Sequence, residues 1–341
     1  MDLQKVVNTS AIIDIQKEFQ YACYKNDIKM IKYLLDSKPD LDIQKGFINA
    51  CINNQIEMIK FLLDLKSDLS IQEGFDYACE YNDDIKTVKY LLGLKSNLCV
   101  QQGFIYACGN NNIEMVKNLL EFKPILNVQI QEGFEHACIN NKIEMVKYLL
   151  GLKQDLDIQD GFNNACSNNN IETVKYLLEL KPNLSIQQGF ICACTNCMNN
   201  KIEIIKYLLE LKPNLDIQKG FICACVNNKI EIVNKLLEIK PDLDIQKGFI
   251  WACYKNKIEM VNKLLELNPK LNIQEGFNNA CSNNKIEMVK YLLEINPDMN
   301  IQEGFNNACS NNKTEMVKYL LELKPKLNIP EALKQHILIK F

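Results

Sequence analysis

Thirty-nine basic residues, every one of them lysine, set against 42 acidic ones leave this 341-residue chain with a net charge of −3. Without arginine, nucleic acid is excluded as the main expected partner, since arginine supplies the bidentate contacts to phosphates and bases, and no run of ~18 apolar residues is available for a membrane helix. At 47% apolar the chain can fill a large core, and fifteen cysteines behind an N-terminus that does not read as a secretory signal point to a reducing, intracellular and cytoplasmic setting.

In chain order, residues 1–15 come first. Aligned backward from Ile15, they set Leu3, Val6 and Val7 where the next stretch has Ile31, Leu34 and Leu35. They are expected to form a second helix without its first, a half-repeat covering the end of an array. From Phe19 the chain repeats itself. Phenylalanines at 19, 47, 75, 104, 134, 162, 190, 221, 249, 277 and 305 follow at steps of 28 to 31 residues, which makes eleven copies over residues 16–329. A fixed period of this length marks a solenoid whose copies stack on one another.

Each copy opens with GFxxACxNN, whose Phe, Ala and Cys share one helical face. The asparagines are expected to end this first helix and to cap the next. A second helix follows, as in Ile286–Ile295, with Ile286, Val289 and Leu293 at i, i+3 and i+7 and Met288, Leu292 and Ile295 at i, i+4 and i+7. That spacing predicts a broad apolar face. Proline stops the helix in eight copies and leaves an extended PxLxIQ link. Ten of the eleven copies then place a glycine before the phenylalanine, where the link is expected to turn into the helix. There it would supply backbone freedom and close approach. Residues 330–341 read as a C-terminal cap helix, with Pro330 suited to its first turn.

The second helix and link resemble the ankyrin repeat, in which the corresponding stretch runs LEVVKLLLEAGADVNA, and FxxACxNN resembles that family's LHLAAxNG. The likeness covers residues 16–329, but the usual Thr-Pro is absent and the commonest step is 28 residues, against a family norm of about 33. It implies an all-α helical solenoid of eleven stacked helix-loop-helix repeats between half-repeat caps, with little of the family's β-hairpin. It also implies a non-catalytic scaffold that binds another protein through its concave groove.

The cysteines are the first candidates for chemistry. Eleven of the fifteen hold the Ala-Cys position and are expected in the core. Cys192, Cys194, Cys197 and Cys223 suggest the competing reading, a zinc or redox protein centred on Cys192–Cys225. Against it, no second CxxC is present, so no metal ligand is assigned and no cofactor is expected. His136 and His336 lie seven copies apart, and no phosphate-binding loop or nucleophile is recognisable. Presentation of a partner to ubiquitin machinery would need a recruitment motif inside the caps.

Offsets +1, +2 and +5 from each phenylalanine form a stripe beside the core face, and by the resemblance that side lines the groove. It starts aromatic with Tyr21, Tyr24, Tyr77 and Tyr106 and ends on asparagines and serines. Between them, Ile191, Ile222, Val226, Ile250, Trp251 and Tyr254 are expected to make a contiguous apolar patch that binds a protein partner. The expected state is a monomer that engages neither nucleic acid nor membrane.

Overall fold

The computed structural model describes residues 15–82, 84–95, 97–122, 129–196 and 202–329. The expected C-terminal cap, residues 330–341, falls outside these residues, and so does the expected N-terminal cap, residues 1–15, except for Ile15, which opens the first helix. Among the described residues there are 22 helices, two per copy. The first helices are α1 (Ile15–Tyr24), α3 (Ile43–Ile52), α5 (Ile71–Tyr81), α7 (Val100–Gly109), α9 (Ile130–Ile139), α11 (Ile158–Ser167), α13 (Ile186–Asn196), α15 (Ile217–Val226), α17 (Ile245–Tyr254), α19 (Ile273–Ser282) and α21 (Ile301–Ser310). The second helices alternate with them: α2 (Ile28–Ser37), α4 (Ile56–Leu65), α6 (Lys86–Leu94), α8 (Ile113–Phe122), α10 (Ile143–Leu152), α12 (Ile171–Leu180), α14 (Glu203–Leu211), α16 (Ile230–Ile239), α18 (Ile258–Leu267), α20 (Ile286–Ile295) and α22 (Thr314–Leu323). The chain divides into two compact units, residues 1–161 and 162–341. In the first, α1, α3, α5, α7 and α9 pack side by side in that order; in the second, α13, α15, α17, α19 and α21 do the same.

The core is as repetitive as the sequence. Phe277, Ala280 and Cys281 of α19 and Met288, Val289 and Leu292 of α20 are all fully buried, and so are nearly all their described counterparts; the exception is Met30 of the first copy, which is 43% exposed. The broad apolar face of the second helix is narrower than its spacing predicts: Ile286 and Leu293 are half-buried and Ile295 is 41% exposed. Ile295 is the last residue of α20.

The link is shorter than expected, because Ile-Gln belongs to the helix that follows. What marks the boundary is an N-cap one residue earlier. Asp42, Asp216 and Asp244 accept hydrogen bonds from the backbone N–H groups of Lys45, Lys219 and Lys247, and Ser70, Asn272 and Asn300 play the same part for Glu73, Glu275 and Glu303. Each satisfies one of the donors orphaned at a helix start. The apolar residue just before the cap, such as Leu98, Leu243 or Met299, is buried and pins the link to the core.

The glycine therefore sits inside the first helix rather than at a turn, and no glycine among the described residues has positive φ. Its role is close approach alone. A Cβ on Gly248 would lie 2.6 Å from Phe221 Cε1 and 2.8 Å from Cys225 Sγ of the preceding copy.

The left-handed backbone belongs to asparagine instead. Asn26, Asn54, Asn111, Asn141, Asn169, Asn228, Asn256, Asn284 and Asn312, between the paired helices, have φ between 54° and 65°, a region asparagine tolerates better than most residues. The expected capping of the next helix holds at Asn112, whose Oδ1 accepts from Met115 N at 2.9 Å. Elsewhere Gln55, Lys229, Lys257, Lys285 and Lys313 precede the second helix and give it no side-chain cap. In three copies the left-handed asparagine reaches across instead. Asn54, Asn111 and Asn169 accept from the backbone N–H of Thr87, Met145 and Ile204 at 3.1, 3.0 and 2.9 Å, each capping the second helix of the following copy.

The glutamine of the Ile-Gln pair holds neighbouring copies together. Gln246 Oε1 accepts from Asn272 N at 2.8 Å while its Nε2 donates to Asn272 O at 3.2 Å. Gln16, Gln44, Gln72, Gln101 and Gln131 clamp Asp42, Ser70, Cys99, Gln129 and Asp157 in the same way, and Gln187, Gln218, Gln274 and Gln302 clamp Asp216, Asp244, Asn300 and Asn328. A side-chain amide thus reproduces the paired bonds of a β-bridge where no strand exists. Gln246→Ala is expected to cost about 1–2 kcal/mol in urea denaturation, the usual net worth of one or two such bonds. Gln246→Glu should cost at least as much, because it turns the donor into a carboxylate oxygen facing the Asn272 carbonyl and the Glu275 carboxylate, which also receives Gln246 Nε2 at 3.2 Å. A midpoint unchanged by both substitutions would show that the ladder is decorative.

Candidate protein-docking surface

Beside the buried Ala and Cys of each first helix, the side chains at offsets +1, +2 and +5 share one flank, where most are half-buried or exposed but Ile105 and Ser167 are buried. Two groups of large residues stand out there, one in each unit.

In the second unit the flank crosses α13, α15 and α17. Ile191, Ile222, Val226 and Ile250 are half-buried, while Trp251 is 43% exposed. The indole meets Tyr254 edge-on at 5.2 Å between ring centres, and Lys255 Nζ stands 4.9 Å from the Tyr254 ring. Cation and rings pre-order one another. The position of Trp251 is occupied by Asn279 and Asn307 in the last two copies. Those copies present a polar flank. Asn278 accepts from Gln274 Nε2 at 2.9 Å and donates to Glu303 Oε1 at 2.7 Å.

In the first unit the flank is aromatic. Tyr21 and Tyr24 are exposed on α1 with rings 6.0 Å apart, and Lys25 Nζ lies 5.5 and 4.8 Å from them. Tyr77 is exposed on α5 and stacks on Tyr81 at 6.3 Å, whereas Tyr106 on α7 is half-buried. Tyr77 and Tyr106 line a pocket of about 390 Å³ together with Ile48 of α3 and Glu73, Asp76 and Glu80 of α5. Burial pushes the Asp76 carboxyl up to about 6, against the lowering effect of Gln72, whose Nε2 donates to Asp76 Oδ1 at 2.9 Å, and with added repulsion from Glu73. None of these three acids stands out in the sequence. Their spacing of i, i+3 and i+7, with Tyr77 at i+4, was the signal that they share one side of α5.

The cysteines divide by depth. Cys23, Cys51, Cys79, Cys108, Cys138, Cys166, Cys194, Cys225, Cys253, Cys281 and Cys309 are buried, Cys192 and Cys223 are half-buried, and Cys99 is exposed. Burial raises the Cys223 thiol, with a hydrogen bond to Thr195 and the Lys219 charge pulling the other way. Among the described residues, no group of three or more His, Cys, Asp or Glu side chains is gathered to hold a metal ion. Cys197 and His336 lie outside the described residues, and His136 is half-buried on α9.

Comparison with protein families matches the description ankyrin repeats (3 copies) at residues 75–160, 162–247 and 249–331, and ankyrin repeats (many copies) at residues 19–63. No curated protein matches the chain.

Proposed function

We propose that this chain, which belongs to the ankyrin-repeat family, is a non-catalytic scaffold that holds a partner protein on the exposed flank of its first helices. Ankyrin repeats generally mediate protein–protein interactions, and no helix among the described residues is long and apolar enough to cross a membrane. Beyond that, the reading places the docking face on Ile191, Ile222, Val226, Ile250, Trp251 and Tyr254, with Tyr21, Tyr24, Tyr77 and Tyr106 as a second contact region. It takes the protein to act as a monomer, inside the cell, where fifteen cysteines remain reduced.

The observation that carries this reading is Trp251. A fully built repeat leaves 43% of an indole in water, braced by Tyr254, at a position where other copies need only asparagine. Folding does not require a tryptophan there, while binding uses such rigid aromatic anchors. Trp251→Ala is expected to weaken partner binding by ~30-fold or more, the loss typical of an interface hot spot, with the urea midpoint nearly unchanged. The check is affinity purification from cells with wild-type and variant protein side by side, followed by titration of the stoichiometric partner. A partner held equally by both proteins would remove Trp251 from the interface, and a variant that unfolds would return it to the core.

A further inference from the structure

The pocket between α3, α5 and α7 differs in kind from the rest of the flank. On α5, Glu73, Asp76, Tyr77 and Glu80 point to one side, Tyr106 of α7 closes the second wall, and Ile48 of α3 the third. Three carboxylates thus meet two phenol rings around about 390 Å³. Among the described residues none of the three makes an ion pair. Lys45, which stands one copy earlier at the position of Glu73, is turned to Asp42 at 3.4 Å. Copy four offers only Gln102, Ile105, Tyr106 and Gly109 at the same four offsets, so it brings no positive charge. Copy five adds Glu132 and Glu135, which take hydrogen bonds from Gln101 and Gln131, both at 2.9 Å.

Like charges three and four residues apart on one helix, as in Glu73–Asp76 and Asp76–Glu80, oppose its formation. Partial burial sharpens that cost, and it shows in the raised Asp76 carboxyl. The free protein therefore maintains a concave, negatively charged, ring-lined site with no counter-charge. Ring faces and carboxylates both attract a cation, and about 390 Å³ has room for the end of an extended side chain.

We propose that this pocket receives a lysine or arginine side chain from the partner protein. The occupant follows from charge: a neutral apolar side chain would further desolvate three carboxylates, and an acidic one would be repelled. The proposal rests on reading the flank as a docking face, but it concerns the first unit, whereas Trp251 lies in the second, so the two can fail separately.

The test uses full-length protein carrying fluorotyrosine, followed by fluorine NMR, with Tyr77 and Tyr106 assigned from Tyr77→Phe and Tyr106→Phe. The probes are short acetylated alanine peptides bearing one central lysine, arginine or norleucine. Saturable shifts at Tyr77 and Tyr106 are expected with lysine and arginine and not with norleucine. They should need on the order of tenfold more peptide when salt is raised from about 0.05 to about 0.5 M, and they should vanish in Asp76→Asn/Glu80→Gln, whose other tyrosine signals report an intact fold. Equal shifts with norleucine, shifts spread evenly over the tyrosines, or none at these two would overturn the proposal. Capture of a partner by the Trp251 region is read in a separate experiment and stands or falls by itself.

Discussion

Raising the pH above 9 is expected to unfold the repeats far more steeply than for a protein with few thiols. An unfolded cysteine titrates near 9.0, whereas burial pushes Cys23 up to about 12 and raises Cys51, Cys79, Cys108, Cys166, Cys225, Cys253 and Cys281 strongly as well. Below pH 9 native and unfolded chains both keep these protons, so pH has no leverage. Above it the unfolded chain releases protons that the native one still binds, and stability falls as pH climbs toward the native values. Each buried thiol contributes a slope of about 1.4 kcal/mol per pH unit to the unfolding step that exposes it. Tyr291 and Tyr319, raised chiefly by burial, add the same sign at higher pH. Urea midpoints measured at pH 8, 9 and 10 should therefore drop progressively faster, and Cys281→Ala should flatten the curve by one thiol's share even though it removes core volume. A midpoint insensitive to pH up to 10 would mean that the repeat cysteines are not sealed from water. It would also reopen a reactive role for them.

Which features can be read from the sequence depends on how far apart the interacting groups lie. The Phe-Ala-Cys face of the first helix and the Met-Val-Leu line of the second are local patterns, and both are buried as the spacing predicts. The N-caps were also local: Asp216 or Asn272 directly before Ile-Gln is a plain helix-start signal, hidden here by taking Ile-Gln as link. The glutamine ladder is different. It joins a side chain to backbone some 26 to 29 residues away, and nothing in the residues around Gln246 says which peptide group it meets. Only its recurrence in every copy hints at a structural duty. The flank was legible as a direction but not as a depth. Offset +2 sets Trp251 beside the core face of α17, but its 43% exposure and its contact with Tyr254 come only from the folded structure. Asp76 is not legible in the sequence because helix-surface acids ordinarily face solvent, and the pocket it lines is completed by Ile48 and Tyr106 from two other copies.

The same glycine-to-alanine exchange should have opposite signs at two positions ten residues apart in sequence. Gly151 lies in the last turn of α10 with nothing within 4 Å of an added Cβ. There alanine loses less backbone entropy on folding, and Gly151→Ala should gain about 0.5–1 kcal/mol. Gly161 is equally helical, inside α11, but its added Cβ would lie 2.7 Å from Phe134 Cζ, 3.0 Å from Cys138 Sγ and closer still to Phe134 Cε1. Phe134 and Cys138 are fully buried and cannot swing aside. Gly161→Ala is therefore expected to lose about 1–3 kcal/mol, the cost of overpacking a filled core, and Gly161→Val more. Copy one supplies an internal control. It carries Glu18 at this position, and residues 1–14 contain neither phenylalanine nor cysteine. The glycine thus appears in each copy that follows a Phe–Cys pair, which ties it to contact between copies rather than to the bend of its own helix. Urea unfolding of the two alanine variants decides the matter. If both shift the midpoint in the same direction, intrinsic helix propensity governs the site and the close approach of neighbouring first helices does not.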